Sequence, residues 1–333
     1  MKYRIIIALA LIPQVILVNF LKDNPSLIDK YYVGFFYNSV FNVNTFVFSK
    51  INFPIGEILY IIIILLFIYL VYRLLSFRFK DFINLLVFIS VIYFCFYSFW
   101  GLNYFRTSLS EKFNIESNYE FIELDSTIKK IIIEIEKEIK LIDDENQTIN
   151  IDKFIKDENS NIKKSIIPEI FLYQRVSGHF IPFTSEAVFI DDIPVVDIPV
   201  VIFHEQAHQM GYADEAEASF IGFMKAVESN NANVRYSGYF NALLNLLNEI
   251  NNNHKEYLED YISRLNERVI SDINYNIEFW SKYSNNYFDK VQKYIYDLYL
   301  KSNNQEAGIM TYNKVSNFII DYYKREELSE FFN

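Results

Sequence analysis

Hydrophobic and polar positions along this chain fall into three regimes. Up to residue 101 the pattern is set by long apolar runs. The run 4–21 follows Lys2 and begins at Arg4, and 55–75 has Ile61-Ile-Ile-Ile-Leu-Leu-Phe at its centre with Glu57 and Arg73 near its ends. The run 82–101 closes on Tyr93, Phe94, Tyr97, Phe99 and Trp100. A helix rises about 1.5 Å per residue, so runs of this length suit a hydrocarbon core of about 30 Å, and the terminal aromatic cluster suits an interface. Three transmembrane helices are therefore expected within a membrane region 1–102. No small-x-small cleavage site precedes Lys22-Asp-Asn-Pro25, so the first run reads as an uncleaved helix rather than a signal peptide. The loop 22–54 carries Lys22, Lys30 and Lys50 among Tyr31, Tyr32, Phe35, Phe36, Tyr37, Phe41, Phe46 and Phe48. It reads as an interfacial or re-entrant segment, and the alternative, a fourth full crossing there, would invert the topology.

The second regime begins near residue 103. Isoleucines at 128, 131, 132, 135, 139 and 142 form a helical stripe across 121–144, with Lys and Glu between them. The stretch 143–165 is Asn- and Lys-rich and reads as a loop with some helix. From 166 to 193 β-branched and aromatic residues rise, punctuated by Pro168, Gly178 and Pro182, which predicts two or three short strands. In the third regime the chain is helical to its end, with stripes over 237–250, 257–273, 277–300 and 313–323. The fold class expected is mainly α with a small β-sheet, in which N-terminal transmembrane helices precede an α+β domain over 103–333.

Charge adds orientation. Lys2 and Arg4 flank the first run, and Arg73, Arg78 and Lys80 fill the short link between the second and third. The excess of Lys and Arg on cytoplasmic loops places both on the cytoplasmic side, so residues beyond about 103 are expected outside the cytoplasmic membrane. A net charge of -11 with no basic stripe argues against nucleic acid as a partner. The single cysteine, Cys95, lies in the third run and excludes an internal disulfide framework.

The candidate chemistry is concentrated in Val201-Ile-Phe-His204-Glu205-Gln-Ala-His208-Gln-Met-Gly211. Residues four apart on a helix share a face, so His204 and His208 can share a Zn²⁺, with Glu205 beside them as general base. Two of the chain's four histidines fall in this one turn. Gly211 reads as the helix stop, and a second helix follows with apolar Ala216, Phe220, Phe223 and Met224. A third ligand is needed, and Asp214, Glu215 and Glu217 compete for the place. Glu215 and Glu217 lie about 200° apart around a helix, so both cannot face one ion.

The sequence His204-Glu-x-x-His208 resembles the HExxH motif of zinc metallopeptidases. Glu215-Ala-Glu-Ala-Ser219 is similar to the E-x-x-A-D/N pattern of the gluzincins, in which the first Glu binds zinc and the last residue supports the ligands. That resemblance favours Glu215 as third ligand, with Ser219 replacing the usual Asp or Asn. The chain is also similar to the DUF3810 family of bacterial membrane proteins through Phe183-Thr-Ser-Glu186-Ala, His204-Glu-Gln-Ala-His-Gln-Met-Gly-Tyr, Glu215-Ala-Glu-Ala-Ser-Phe and Tyr299-Leu-Lys-Ser-Asn. What this resemblance implies is a membrane-anchored, zincin-like metallopeptidase in a bacterial cytoplasmic membrane.

The activity expected is hydrolysis of a peptide or protein substrate by water activated on Zn²⁺, with Glu205 as general base. His179 and Glu186, in a stretch that would form a strand edge beside the motif, are candidate lining residues of a substrate cleft. Two other classes remain open on sequence grounds, a zinc-binding sensor without catalysis and a membrane structural or assembly factor. The oligomeric state has no sequence signal.

Overall fold

The structure is a computed structural model that describes residues 1–115, 118–144, 149–158, 161–284, 286–302 and 312–325. It is mainly helical and divides into two compact units, 1–107 with 180–186, and 108–179 with 187–333.

In the first unit, α1 (Lys2–Leu9) and α2 (Leu11–Lys22) run on as one apolar rod. A short α3 (Pro25–Leu27) leads into a π-helix (Ile28–Tyr37) and α4 (Asn38–Phe48). Two long helices follow, α5 (Ile55–Leu74) and α6 (Phe79–Phe99), and a 3₁₀ turn (Gly101–Phe105) ends the unit's continuous stretch. Lys2–Lys22, α5 and α6 are each long and apolar enough to cross a membrane, with mean hydropathies of 2.2, 2.5 and 2.1. Their observed bounds lie within a few residues of the runs expected from sequence.

Polar contacts fix the direction of these helices. Arg4 donates to Asn84 (2.9 Å), Ser90 donates to the carbonyl of Ile7 (2.8 Å) and Gln14 donates to Ser90 (3.3 Å), so α1 and α2 run parallel to α6. The Phe67 and Phe88 rings meet at 6.1 Å, as antiparallel α5 and α6 require. At the turn between those two, Asp81 is buried and pairs with Arg73 (3.2 Å) and Arg78 (3.0 Å). The start of α1, the end of α5 and the start of α6 therefore share one end of the bundle, and 22–54 and the 3₁₀ turn share the other. Thr107 N–H donates to Asp29 (3.3 Å) and ties those two caps together. The segment 22–54 begins and ends on the same side, which excludes a further crossing there.

The other fixed point of this unit is Glu186. It is fully buried and its carboxylate accepts from the first N–H groups of α5, Ile55 (3.1 Å) and Gly56 (2.7 Å), and from the Thr184 hydroxyl (2.8 Å). The leading N–H groups of a helix have no partner within it, and a negative charge at that end also meets the positive end of the helix dipole. Gly56 allows the approach, since a Cβ there would lie 2.6 Å from Thr184 Oγ1. Asn44 donates to Ser185 (3.1 Å), which itself has a left-handed φ of 52°.

The second unit contains α7 (Leu109–Phe113), α8 (Phe121–Asp144) and α9 (Ile151–Asp157). Next come β1 (Ile162–Lys164), α10 (Pro168–Tyr173), β2 (Gly178–Ile181) and β3 (Glu186–Phe189), of which residues 180–186 count with the first unit. The rest is helical: α11 (Ile198–Gln209), α12 (Glu215–Val227), α13 (Ala232–Asn253), α14 (Leu258–Ser263), α15 (Glu267–Ser281), α16 (Tyr287–Ser302) and α17 (Tyr312–Lys324). The sheet order is β1-β3-β2, with β1 parallel to β3 in the register Ile162↔Ala187, Lys163↔Val188 and Lys164↔Phe189. The isoleucine stripe of α8 is buried against α12, α13 and α17, where Phe220, Phe240, Leu243 and Phe318 are also enclosed. A second apolar cluster, Ile162, Leu172, Phe189, Ile198 and Ile202, packs the sheet on α11.

Differences from the sequence expectation have local causes. The stripe over 257–273 is broken between α14 and α15, where the Asn266 side chain caps the new helix, as Asn286 does for α16. Pro168 opens α10, since its missing N–H is harmless in a helix's first turn, so part of 166–193 is helical and the third strand lies earlier, at 162–164. The stripe over 277–300 is two helices, α15 ending at Ser281 and α16 starting at Tyr287.

Replacing Glu186 with Ala leaves the N–H groups of Ile55 and Gly56 without their acceptor, at a cost of about 1–3 kcal/mol. The full chain in detergent should unfold at a lower temperature, with Glu186→Gln between the two. An unchanged midpoint in Glu186→Ala would show that the cap contributes nothing.

Candidate metal centre

α11 carries the motif, and its end shapes the site. Gly211 adopts φ 84°, its N–H donates to the carbonyl of His208 (2.9 Å), and Tyr212 N–H donates back to Ala207 (3.1 Å). This is the hydrogen-bond pattern with which a left-handed glycine closes a helix. It folds the Tyr212 carbonyl back over the last turn, where it lies 2.7 Å from His208 Nδ1. Asp214 then caps α12, its Oδ1 accepting from the N–H groups of Ala216 (2.9 Å) and Glu217 (3.1 Å). The cap starts the helix so that Glu215 is its first residue and points back at the histidines.

Three candidate donor atoms converge. His204 Nε2 and His208 Nε2 are 3.1 Å apart, and Glu215 Oε2 lies 3.2 Å from the first and 3.7 Å from the second. Ligand atoms about 2.0–2.1 Å from a common ion at tetrahedral angles are about 3.3 Å from one another. The observed spacings bracket that value, so the three residues fit a single Zn²⁺-sized ion. Ring orientation agrees. His208 Nδ1 faces the Tyr212 carbonyl and His204 Nδ1 faces Ser219 Oγ (3.2 Å), so both imidazoles can hold their proton on Nδ1 and turn the Nε2 lone pair inward. His204 and Glu215 keep 21% and 16% side-chain exposure, which leaves the cluster open on one side.

The electrostatics have the same origin. Burial alone would lower the His208 pKa, yet the Glu215 carboxylate beside it lifts it to about 9. Burial would raise Glu215, but the two imidazoles hold it well below the usual carboxylate range. Glu205, 4% exposed, is pushed up by burial and drawn down by the three imidazoles of His204, His208 and His179. Its Oε2 is buried, with no hydrogen-bond partner among the described residues.

The other sequence candidates lie elsewhere. Asp214 is occupied as the helix cap, and Glu217, buried at 3% exposure, accepts from the N–H of Leu109 at the start of α7. Ser219 touches His204 and not the point between the imidazoles. His179 stacks on Phe171 at 4.0 Å and is among the groups that draw the Glu205 pKa down. Glu186, expected as a possible cleft residue, is instead buried in the first unit as the cap of α5. A cavity of about 690 Å³ in the second unit is lined by Phe154, Phe203, Met210 and Lys225, and by none of the three converging side chains.

Two glycines, Gly178, which reads as punctuation between strands, and Gly222, to which the sequence assigns no role, lie against the cluster. A Cβ on Gly178 would lie 2.8 Å from Glu205 Oε1, so β2 passes directly over that carboxylate. A Cβ on Gly222 would lie 3.1 Å from the His204 backbone nitrogen, so α12 approaches α11 closely enough to deliver Glu215 and Ser219. Spacing from the motif could not reveal either, because each acts through the chain that passes it.

A model of a family described as "Protein of unknown function (DUF3810)" matches residues 32–320. No curated protein and no solved structure matches the chain.

At the other end of α11, Asp197 accepts from Asn276 (2.6 Å) and has its pKa raised to about 6, chiefly by burial and further by Asp272, against the lowering effect of Asn276. A carboxyl raised in the folded state favours the protonated protein, so its contribution to stability declines as pH rises from about 4 to 6. Asp197→Asn should therefore be more stable than the parent at pH 8, by roughly 3 kcal/mol, and equal to it near pH 4. Thermal unfolding at the two pH values reads this directly, and a pH-independent difference would refute it.

Proposed function

We propose that this chain, which belongs to the DUF3810 family, is a membrane-anchored zinc metallopeptidase with a zincin-like catalytic domain. The observation that carries the reading is the convergence of His204 Nε2, His208 Nε2 and Glu215 Oε2 at tetrahedral ligand spacing, with Glu205 next to His204 and its Oε2 unpartnered among the described residues. Bound there, Zn²⁺ supplies Lewis-acid polarisation of a scissile carbonyl and acidifies water.

The chain's residues divide the remaining work. The Tyr212 carbonyl and Ser219 hold the imidazoles in the tautomer that presents Nε2. Glu205 takes the proton of the attacking water and returns it to the leaving amine. Burial raises its pKa, and so brings its basicity nearer to neutral pH, where such transfer is most efficient. Gly178 leaves room for that carboxylate to move. The substrate class is a peptide or protein segment.

The basic residues Lys2, Arg4, Arg73, Arg78 and Lys80 gather at one end of the three-helix bundle, and the chain leaves α6 at the other. By the positive-inside rule the first end is cytoplasmic, which puts the catalytic domain outside the cytoplasmic membrane of a bacterium.

Metal analysis of the full chain purified in detergent tests the centre. One zinc per chain is expected, lost in His208→Ala and in Glu215→Ala, and kept in Glu217→Ala, which should be less stable because Leu109 loses its acceptor. Folded protein that takes up no zinc when supplied with it would overturn the reading. Against a peptide library, Glu205→Gln should keep zinc and lose hydrolysis by about a hundredfold or more. Gly178→Ala should also keep zinc but turn over more slowly, because its Cβ displaces the Glu205 carboxylate. Full hydrolysis by Glu205→Gln would remove Glu205 from its role.

A further inference from the structure

The helical segment 25–48 of the first unit has no part in the proposed chemistry. Both of its flanking helices, α2 and α5, meet it at the same end of the bundle, so it lies across that end. Its inner face is Ile28, Tyr32 and Tyr37, at 0%, 7% and 1% exposure. Those spacings of four and five residues match the wider turn of the π-helix, which keeps all three on one side where an α-helix would rotate them apart.

The outer face exposes large apolar side chains, with Asn38, Ser39 and Asn42 also exposed between its two halves. Tyr31, Phe35, Val43 and Phe46 are 59%, 75%, 62% and 68% exposed. Lys30 places its ammonium 4.9 Å over the Tyr31 ring, and Lys50 sits 4.0 Å over Phe46. The chain as a whole carries a net charge of -11, yet between residues 24 and 56 Asp29 is the only acid, and it is bonded to Thr107 N–H. The outer face is thus a set of rings edged by cations. It adjoins the ends of helices whose apolar windows are only 11% buried and are of a length to face lipid.

We propose that 25–48 lies in the membrane interface, with Tyr31, Phe35, Val43 and Phe46 in the acyl boundary of one leaflet and Lys30 and Lys50 among anionic headgroups. Rings in the boundary and lysines at headgroup level are the arrangement that holds an amphipathic helix in a membrane surface. A lipid surface, and not a protein partner, fits because the bundle's own lipid-facing surface ends at this face. The segment then holds the bundle's rotation and depth at one leaflet. The inference is independent of the peptidase reading.

The test uses the full chain with Cys95→Ser, a nitroxide on Phe35→Cys or Phe46→Cys, and reconstitution in vesicles of phosphatidylcholine with phosphatidylglycerol. Lys137→Cys, on the exposed face of α8, serves as the aqueous reference. At 35 and 46 the ratio of collisions with oxygen to collisions with a water-soluble nickel chelate should be several-fold above that at 137. A ratio equal to the reference would mean that the face is in water. Labels immobile and inaccessible to both reagents would mean that protein covers it. Either result overturns the proposal.

Discussion

Two imidazole nitrogens 3.1 Å apart, with a carboxylate oxygen beside both, form an arrangement that a proton or a cation between them would stabilise. If both Nε2 atoms are unprotonated their lone pairs face each other, and if both carry a proton two N–H groups face each other. A proton shared with Glu215 relieves this, which is why His208 is lifted to about 9 while Glu215 is depressed. A divalent ion relieves it more completely. Much of the local architecture can be traced to holding that arrangement. The left-handed Gly211 ends α11 where it must, Asp214 starts α12 in the right phase, and Gly222 lets the two helices touch.

The same constraint explains which parts of the centre were legible in the sequence. His204, Glu205 and His208 were readable because helical periodicity alone puts the histidines on one face. The choice among Asp214, Glu215 and Glu217 was not open to spacing, since it depends on where α12 begins. That start is set by Asp214 accepting from the N–H groups of Ala216 and Glu217. Glu217 is turned away by a partner more than a hundred residues earlier, the N–H of Leu109. The α8 stripe was legible for the same reason as the histidines, its helical period, whereas the three apolar helices were legible from length and near absence of charge. β1 was hidden because Ile162-Lys163-Lys164 has no strand-like alternation, and Lys163 is buried at 5% exposure in spite of its charge.

The two units differ in how they are held together. The second is a conventional apolar core, with α8, α12, α13 and α17 enclosing phenylalanines and aliphatic side chains. In the first, the long helices bury little of their surface, and a few polar contacts specify the arrangement: Arg4 with Asn84, Ser90 with Ile7, Asp81 with two arginines, and Glu186 with the start of α5. In a medium without water a backbone group without a partner is costly, so a handful of such bonds can select one packing of otherwise similar apolar rods.

The Glu186 cap also carries a consequence for the order of synthesis. Its acceptor oxygens are 130 residues downstream of the Gly56 N–H they satisfy. At about 5–20 residues per second, translation of that interval takes on the order of ten seconds. During that time α5 is already emerging, or inserted, with its leading N–H groups lacking their eventual partner. The membrane unit therefore cannot reach its final form as an early, self-sufficient folding event. Its last piece is a hairpin tip encoded well within the second half of the chain, so a nascent protein halted before residue 186 holds a bundle with one helix end still open.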